Sequence, residues 1–170
     1  ARLGDVIYAI NEDDRGSLAQ SAIEALKASG KTVATAESLT GGLIAATLVN
    51  IPGASSVVRG GFVTYQTDTK TILLGVPAET IDRYDVVSAE VATAMAQGAR
   101  ERLGVDIAVS ATGLAGPDGG TPERPVGTVY LGISTKDGTY PIHLSLAGNR
   151  DRIRTLTVKH AIDAVRKEAL

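Results

Sequence analysis

The stretch Thr32-Val33-Ala34-Thr35-Ala36-Glu37-Ser38-Leu39-Thr40-Gly41-Gly42-Leu43-Ile44-Ala45-Ala46 predicts a buried strand that ends in a polar turn and opens directly into a helix. The turn places Ser38 between a glutamate and a leucine-threonine pair. Its two glycines let a ligand or another segment approach the backbone closely. The first free N–H groups of the helix, with the positive end of its dipole, point into the same space. The turn therefore suits an anion, a nucleophile or both.

The sequence around this stretch alternates helical and strand patterns, which is typical of an α/β protein. Helices are expected over 17–29, 40–49, 89–103 and 150–168, with Ser17 and Ser88 as N-caps of the first and third. Shorter helical turns are expected at 71–75 and 77–79. Strands are expected over 32–36, 61–65, 106–110, 126–133 and 140–146, the last two joined as a hairpin. We expect a three-layer α/β/α fold with a mixed, largely parallel central sheet.

Composition restricts the function further. The 170 residues predict a single domain spanning 1–170, with 1–15 as a possible N-terminal arm. The net charge of −2 with no basic run argues against a nucleic-acid partner. With no Cys and only two His, we expect neither a metal site nor a cofactor. The chain has no apolar run long enough to cross a bilayer and no visible signal peptide, so we expect a cytoplasmic protein without a membrane partner.

Polar segments follow the first three predicted strands. Because ligands bind beyond the carboxyl ends of strands in open α/β sheets, Ser38, the segment 65–70 and the segment 112–124 are expected to converge on one crevice. Within it, Ser38 is either a nucleophile or an N-cap or phosphate ligand, since Ser is a preferred N-cap. Lys70 is either the base for such a serine or a surface lysine at a helix start.

Other candidates lie in the long loop, in the last helix and beside Ser38. The long loop 111–125 carries Thr112 and several glycines whose backbone N–H groups can form an anion-binding concavity. Arg150, at the start of the last helix, is placed to clamp a phosphate or carboxylate, whereas Arg152 and Arg154 are expected in solvent. Glu37 is expected to accept backbone N–H bonds or to orient a neighbour. Tyr65 is either a hydrogen-bonding partner in the site or an ordinary residue at a strand end.

Several separated motifs in this order resemble the CinA C-terminal domain family over about residues 17–168. They are Ala36-Glu37-Ser38-Leu39-Thr40-Gly41-Gly42, Gly61-Phe62-Val63-Thr64-Tyr65 with Lys70, the run from Thr112 to Thr121 with Arg124 to Val129, and Gly148-Asn149-Arg150. Between Tyr65 and Lys70 the family commonly reads Ser-Asn-x-Ala, whereas this chain has Gln66-Thr67-Asp68-Thr69. The resemblance also implies a stand-alone form and a homo-oligomer.

The resemblance implies an amidohydrolase that converts nicotinamide mononucleotide to nicotinate mononucleotide and ammonia, a step of pyridine-nucleotide salvage. It implies Ser38 as the nucleophile and Lys70 as its base, with Tyr65 and Thr112 assisting. The residues expected to contact the small-molecule substrate are Glu37, Thr40, Gly41, Gly42, Gly113, Gly116, Gly119, Gly120 and Arg150. Two alternatives stay open: a nucleotide-binding or regulatory module without chemistry, and a hydrolase of another small amide.

Overall fold

The computed structural model describes residues 15–170. The proposed N-terminal arm, including the apolar segment 6–10 and the acidic segment 12–14, lies outside the described residues. The helices are α1 (Arg15–Ser29), α2 (Leu43–Val49), α3 (Thr67–Leu74), α4 (Ala78–Tyr84), α5 (Ala89–Leu103) and α6 (Arg150–Ala169). The strands are β1 (Val33–Glu37), β2 (Val58–Val63), β3 (Ile107–Gly113), β4 (Thr128–Thr135) and β5 (Gly138–Ser145). No helix in this range is long and apolar enough to cross a membrane.

The five strands form one mixed sheet in the order β2-β1-β3-β4-β5. Strands β2, β1 and β3 are parallel, while β4 pairs antiparallel with β3 and β5 completes a hairpin with β4. The predicted fold class is confirmed, and the parallel part of the sheet is the part whose carboxyl ends carry the candidate residues. Strand β1 is fully buried, as a central strand covered on both faces must be.

Helices cover both faces of the sheet. Side chains alternate along β1, so Val33 faces one layer and Ala34 and Ala36 face the other. The first layer contains α1, α2 and α6, and the second contains α5 with the end of α3. Each layer buries its own apolar cluster against the sheet, which is the main source of stability for such an arrangement.

Element boundaries differ from the sequence prediction at several ends. Helix α1 begins at Arg15, so Ser17 lies inside it and is not its N-cap. Helix α2 begins at Leu43 and not at Thr40, because residues 38–42 form a turn of their own. Ser88 is confirmed as the N-cap of α5, where its Oγ accepts the Val91 N–H at 3.2 Å. Strand β3 extends to Gly113, which shortens the predicted loop.

Candidate active site

Ser38 is the first residue after β1 and lies between the ends of two parallel neighbours. Its N–H donates to the Ala111 carbonyl of β3 at 2.9 Å, and the Thr64 N–H donates to the adjacent Glu37 carbonyl at 2.8 Å. The alternation of β1 directs the Ser38 side chain toward the layer that contains α3 and α5. Ser38 is partly exposed and does not cap α2, whose N-cap position is Gly42. The N-cap interpretation of Ser38 is therefore wrong.

Lys70 lies on α3 and reaches this serine from the same layer. Its side chain is buried, and its Nζ lies 3.3 Å from Ser38 Oγ and 2.7 Å from the Thr64 carbonyl oxygen. Among residues 15–170 no carboxylate forms an ion pair with Lys70. Burial without a compensating charge lowers the pKa of the Lys70 ammonium, because desolvation penalises the charged form. The interpretation of Lys70 as a surface lysine is wrong.

Helix α3 has an unusual distribution of side chains. Ile72 is 65% exposed and Leu73 is half-exposed, whereas Lys70 retains only 2% of its surface. A short helix that buries its lysine and exposes an isoleucine reverses the ordinary preference of these residues. Because a buried ammonium is costly, the position of Lys70 indicates a chemical role for its amine.

Glu37 occupies the N-terminus of α2. Its side chain is fully buried, and its carboxylate accepts the N–H groups of Gly42 at 2.9 Å, Ile44 at 3.0 Å and Ala45 at 2.8 Å. A fourth bond comes from the Thr35 hydroxyl at 3.2 Å. The expectation that Glu37 accepts backbone N–H bonds is confirmed. Its carboxylate is fully buried, and its contact with substrate stays a prediction.

The N–H groups of the turn are therefore divided between internal and open ones. The Gly41 N–H donates to the Ser38 carbonyl at 3.1 Å and the Leu43 N–H to the Thr40 carbonyl at 3.3 Å. The Glu37 carboxylate accepts the other N–H groups at the start of α2. This helix end therefore has no free donor for an oxyanion or phosphate. The N–H groups of Leu39 and Thr40 have no acceptor among the described residues. These two donors, next to Ser38, are the open N–H groups of the turn, whereas the sequence suggested those of the helix end.

Two hydroxyl groups beside the site also lack partners. Thr40 Oγ1 and Thr64 Oγ1 are both buried and have no hydrogen bond within the described part of the chain. Buried hydroxyls normally find a partner, so each marks an incomplete polar environment. Thr40 is two residues after Ser38 in the turn, and the Thr64 carbonyl accepts from Lys70 Nζ.

Arg150 joins two of the predicted segments. Its Nη2 donates to the Tyr65 hydroxyl at 3.1 Å and its Nη1 to the Gly116 carbonyl at 2.9 Å. Tyr65 is 56% exposed, so its ring is open to solvent. The structure thus brings Arg150, Tyr65 and the glycine loop together, as the predicted convergence requires.

The glycines of the loop have packing reasons of their own. A Cβ at Gly113 would lie 2.8 Å from the Thr128 carbonyl oxygen, and one at Gly120 would lie 2.8 Å from the Val126 nitrogen. Gly116 and Gly119 have φ of +77° and +90°, which disfavour larger residues. Gly116 presents its carbonyl, not its N–H, to Arg150. Substrate contact through these glycines, and through Gly41 and Gly42, stays a prediction.

Thr112 is buried near the end of β3. Its hydroxyl donates to the Val86 carbonyl at 2.7 Å, in the segment that precedes α5. No hydrogen bond joins Thr112 to Ser38 or Lys70 among the described residues. The proton of this hydroxyl is therefore committed to the protein, and only its oxygen lone pairs are available to a ligand.

Arg154 is the residue that the sequence interpretation missed. Its Nε donates to the Leu39 carbonyl and its Nη2 to the Thr40 carbonyl, each at 3.0 Å. It is half-buried, and the expectation that it is solvated is wrong. The sequence did contain a sign that Arg154 lies near the site. Arg150 and Arg154 are four residues apart and therefore share one face of α6.

The fold and the site together define a three-layer α/β protein with a buried lysine beside a partly exposed serine at the carboxyl edge of its parallel strands. The model of the CinA C-terminal domain matches residues 15–169. The chain belongs to the CinA C-terminal domain family.

Curated relatives agree with this assignment. The chain is 46% identical over 165 residues to a putative competence-damage inducible protein of Caldanaerobacter subterraneus subsp. tengcongensis, covering 97% of this chain and 39% of that protein. It is 44% identical over 169 residues to a CinA-like protein of Dictyoglomus thermophilum, covering 99% of this chain and 40% of that protein. The chain thus spans about two fifths of the length of these relatives.

Solved structures show the same fold. The competence/damage inducible protein CihA from Agrobacterium tumefaciens superposes with a TM-score of 0.86 at 40% identity, over 92% of this chain and 96% of that chain. A CinA superfamily protein from Escherichia coli gives a TM-score of 0.87 at 30% identity, over 98% of both chains. The shared architecture extends over nearly the whole described chain.

Proposed function

We propose that this chain is an amidohydrolase that converts nicotinamide mononucleotide to nicotinate mononucleotide and ammonia, with Ser38 as nucleophile and Lys70 as base. The observation that carries the proposal is the buried Lys70 amine, which lies 3.3 Å from Ser38 Oγ and has no acidic partner among residues 15–170. An amine with a lowered pKa has a larger neutral fraction near neutral pH, and only the neutral form can accept a proton.

The first half of the proposed reaction forms an ester. The neutral Lys70 amine takes the Ser38 hydroxyl proton while Oγ attacks the carboxamide carbon, and the carbonyl oxygen becomes an oxyanion. The ammonium that results still donates to the Thr64 carbonyl, which holds it in place. The N–H groups of Leu39 and Thr40 are the proposed oxyanion donors, since the N–H after a nucleophilic serine serves this purpose in other hydrolases.

The second half returns the serine. As the C–N bond breaks, the Lys70 ammonium gives its proton to the departing nitrogen, so ammonia leaves and Lys70 is neutral again. A water molecule then attacks the ester, transferring a proton to Lys70. Collapse of this second intermediate returns the proton from Lys70 to Ser38 Oγ and releases the carboxyl group of nicotinate mononucleotide, which loses its remaining proton to solvent. No external oxidant or cofactor is required.

The nucleotide part of the substrate is assigned to the exposed side of the site, where Arg150 and Tyr65 lie. Arg150 supplies a cation there, oriented by Tyr65 and Gly116, and a guanidinium suits a phosphate oxygen pair. Remote binding of this kind orients the carboxamide for attack. Thr112 is assigned the role of accepting a hydrogen bond from the substrate, because its own proton is held by Val86.

The direct test is ammonia release from nicotinamide mononucleotide by the purified chain and by Ser38→Ala and Lys70→Ala. Each variant is expected to lose about 10²- to 10⁴-fold or more in kcat, while thermal unfolding stays cooperative. Ser55→Ala and Lys136→Ala change exposed residues of the same types and serve as matched controls. Full turnover in both site variants would refute the mechanism.

A substrate panel separates this proposal from hydrolysis of another small amide. The segment Gln66 to Thr69 leads into α3 beside Tyr65, and here it departs from the family pattern. Nicotinamide riboside, nicotinamide and simple carboxamides should be turned over with kcat/KM at least tenfold lower than the mononucleotide if Arg150 binds the phosphate. Preference for a non-phosphorylated amide would overturn the substrate and leave the Ser38 chemistry in place.

A further inference from the structure

The turn that carries Ser38 receives an arginine from the opposite layer. Arg154 belongs to α6, which packs on the face of the sheet away from Lys70, yet its guanidinium donates to the carbonyls of Leu39 and Thr40 at 3.0 Å each. Gly41 lies directly beneath it, since a Cβ there would be 3.6 Å from Arg154 Nη2. No carboxylate among residues 15–170 forms an ion pair with Arg154.

Peptide geometry converts these two carbonyl contacts into an orientation of N–H groups. In a trans peptide the C=O and the following N–H point in opposite directions, and the only cis peptide in the described residues is elsewhere, at Gly116–Pro117. Because Arg154 draws the Leu39 carbonyl toward α6, the Thr40 N–H points away from α6. The Ser38 carbonyl is similarly held by the Gly41 N–H, which fixes the direction of the Leu39 N–H.

The Thr40 N–H therefore points to the side of the turn on which Lys70 lies. The Ser38 side chain and Lys70 lie on the side of the sheet away from α6, and the Leu39 and Thr40 N–H groups have no acceptor within the part of the chain that the structure describes. A guanidinium bound to a peptide oxygen also polarises that peptide, so its N–H becomes a stronger donor. The uncompensated positive charge adds to the stabilisation of a negative oxygen near Ser38.

We infer that Arg154 is a positioning residue that orients the Thr40 N–H, and through the shared turn the Leu39 N–H, toward the oxyanion formed at Ser38. Arg154 does not touch the substrate. This inference rests on the proposed acyl transfer at Ser38, but not on nicotinamide mononucleotide as the substrate. It predicts an effect on the transition state with little effect on substrate binding.

The test compares the wild type with Arg154→Gln, Arg154→Lys and the control Arg152→Gln, which alters an exposed arginine of the same helix. Two reactions are followed: ammonia release from nicotinamide mononucleotide, and the acylation of Ser38 by p-nitrophenyl acetate, read by mass. Arg154→Gln should lower kcat and the acylation rate about 10- to 100-fold, with KM changed less than about threefold. Arg154→Lys keeps the positive charge but loses the planar guanidinium that donates to two carbonyls, so an intermediate rate is expected. Arg152→Gln should match the wild type.

The outcomes separate the two proposals. Unchanged acylation in both Arg154 variants, or a raised KM at constant kcat, overturns the positioning role. Loss of rate that only follows a fall in melting temperature also overturns it, and Arg154→Lys decides this point if Arg154→Gln does not fold. A wild type that is acylated by the ester but releases no ammonia refutes the substrate and leaves the Arg154 comparison valid. A wild type that reacts with neither compound refutes both.

Discussion

Glu37 and Arg154 bind the same turn, Glu37 through the backbone N–H groups of the turn and Arg154 through its backbone carbonyl groups. The Glu37 carboxylate accepts N–H groups of Gly42, Ile44 and Ala45, while the Arg154 guanidinium donates to the carbonyls of Leu39 and Thr40. Because a carboxylate binds the N–H groups of the turn and a guanidinium binds its carbonyl groups, the backbone of the turn has little freedom to move. The shape of the turn is therefore fixed before any ligand binds, as the proposed electrostatic stabilisation of an oxyanion requires.

The rate of ammonia release should rise with pH through the pKa of Lys70. The neutral amine is the active form in the proposed mechanism, and burial lowers the pKa of Lys70, so the rise should be half complete well below the ordinary pKa of a lysine. The measurement is kcat/KM against pH, which reports groups of the free enzyme. A rise centred at the ordinary lysine value, or no dependence at all, would contradict Lys70 as the base.

Lys70→Met should remove a pH dependence from stability. Because the folded-state pKa is lowered, the unfolded chain binds a proton that the folded chain has released, so wild-type stability rises with pH between the folded-state and the unfolded-state pKa. The variant should lose this slope and be at least as stable as the wild type at pH 7. Urea unfolding at several pH values measures both, with Lys136→Met as the exposed control.

Glu37→Gln should destabilise the fold. The amide nitrogen of glutamine would face backbone N–H groups that now donate to a carboxylate oxygen, leaving buried donors unpaired. A loss of about 3 kcal/mol in the free energy of unfolding is expected. Glu123→Gln, in an exposed loop, should change it by less than about 0.5 kcal/mol. An unchanged urea midpoint for Glu37→Gln would mean that the carboxylate is not needed at α2.

Tyr65→Phe tests the hydrogen bond between Arg150 and the Tyr65 hydroxyl. The change keeps the ring and removes the hydroxyl that accepts from Arg150 at 3.1 Å. Since the pair is exposed, a modest rise in KM of about three- to tenfold is expected, with kcat within about threefold. Steady-state kinetics on nicotinamide mononucleotide decide it. A loss confined to kcat would instead assign the hydroxyl to the chemical step.

Gly98→Ala should disturb the placement of Lys70 through the helix that carries it. Gly98 lies on α5, and a Cβ there would collide with the Leu74 carbonyl oxygen at the end of α3. Backbone cannot yield as a flexible side chain does, so a loss of about 1–3 kcal/mol in stability is expected, with reduced turnover. Ala94→Gly, on the same helix, should cost only about 1 kcal/mol and preserve turnover. Equal stability of Gly98→Ala and the wild type would show that α3 moves freely.

The sequence predicted the elements best where one local pattern determines the structure. The apolar run before Glu37, the cap at Ser88 and the hairpin around residues 136–138 are each set by neighbours in the chain, and the structure has all three. The direction of the Glu37 side chain followed from the same local logic, since a carboxylate beside a helix start has few other partners.

The sequence interpretation failed where the outcome depends on distant segments. Whether Lys70 is buried depends on β2, α3 and α5 packing together, which no local pattern encodes. Arg154 is polar, and solvent is the ordinary expectation for such a side chain. Only the tertiary approach of α6 to the turn at residues 38–42 gives its donors two carbonyl acceptors.

The site draws on both helical layers, with Lys70 on one and Arg150 and Arg154 on the other. Detachment of either layer from the sheet would therefore abolish turnover while most of the remaining hydrogen bonds persist. Catalytic activity should then report sub-global openings that lie well below global unfolding in free energy. Activity measured in low denaturant, compared with amide exchange in α3 and α6, would show which layer opens first.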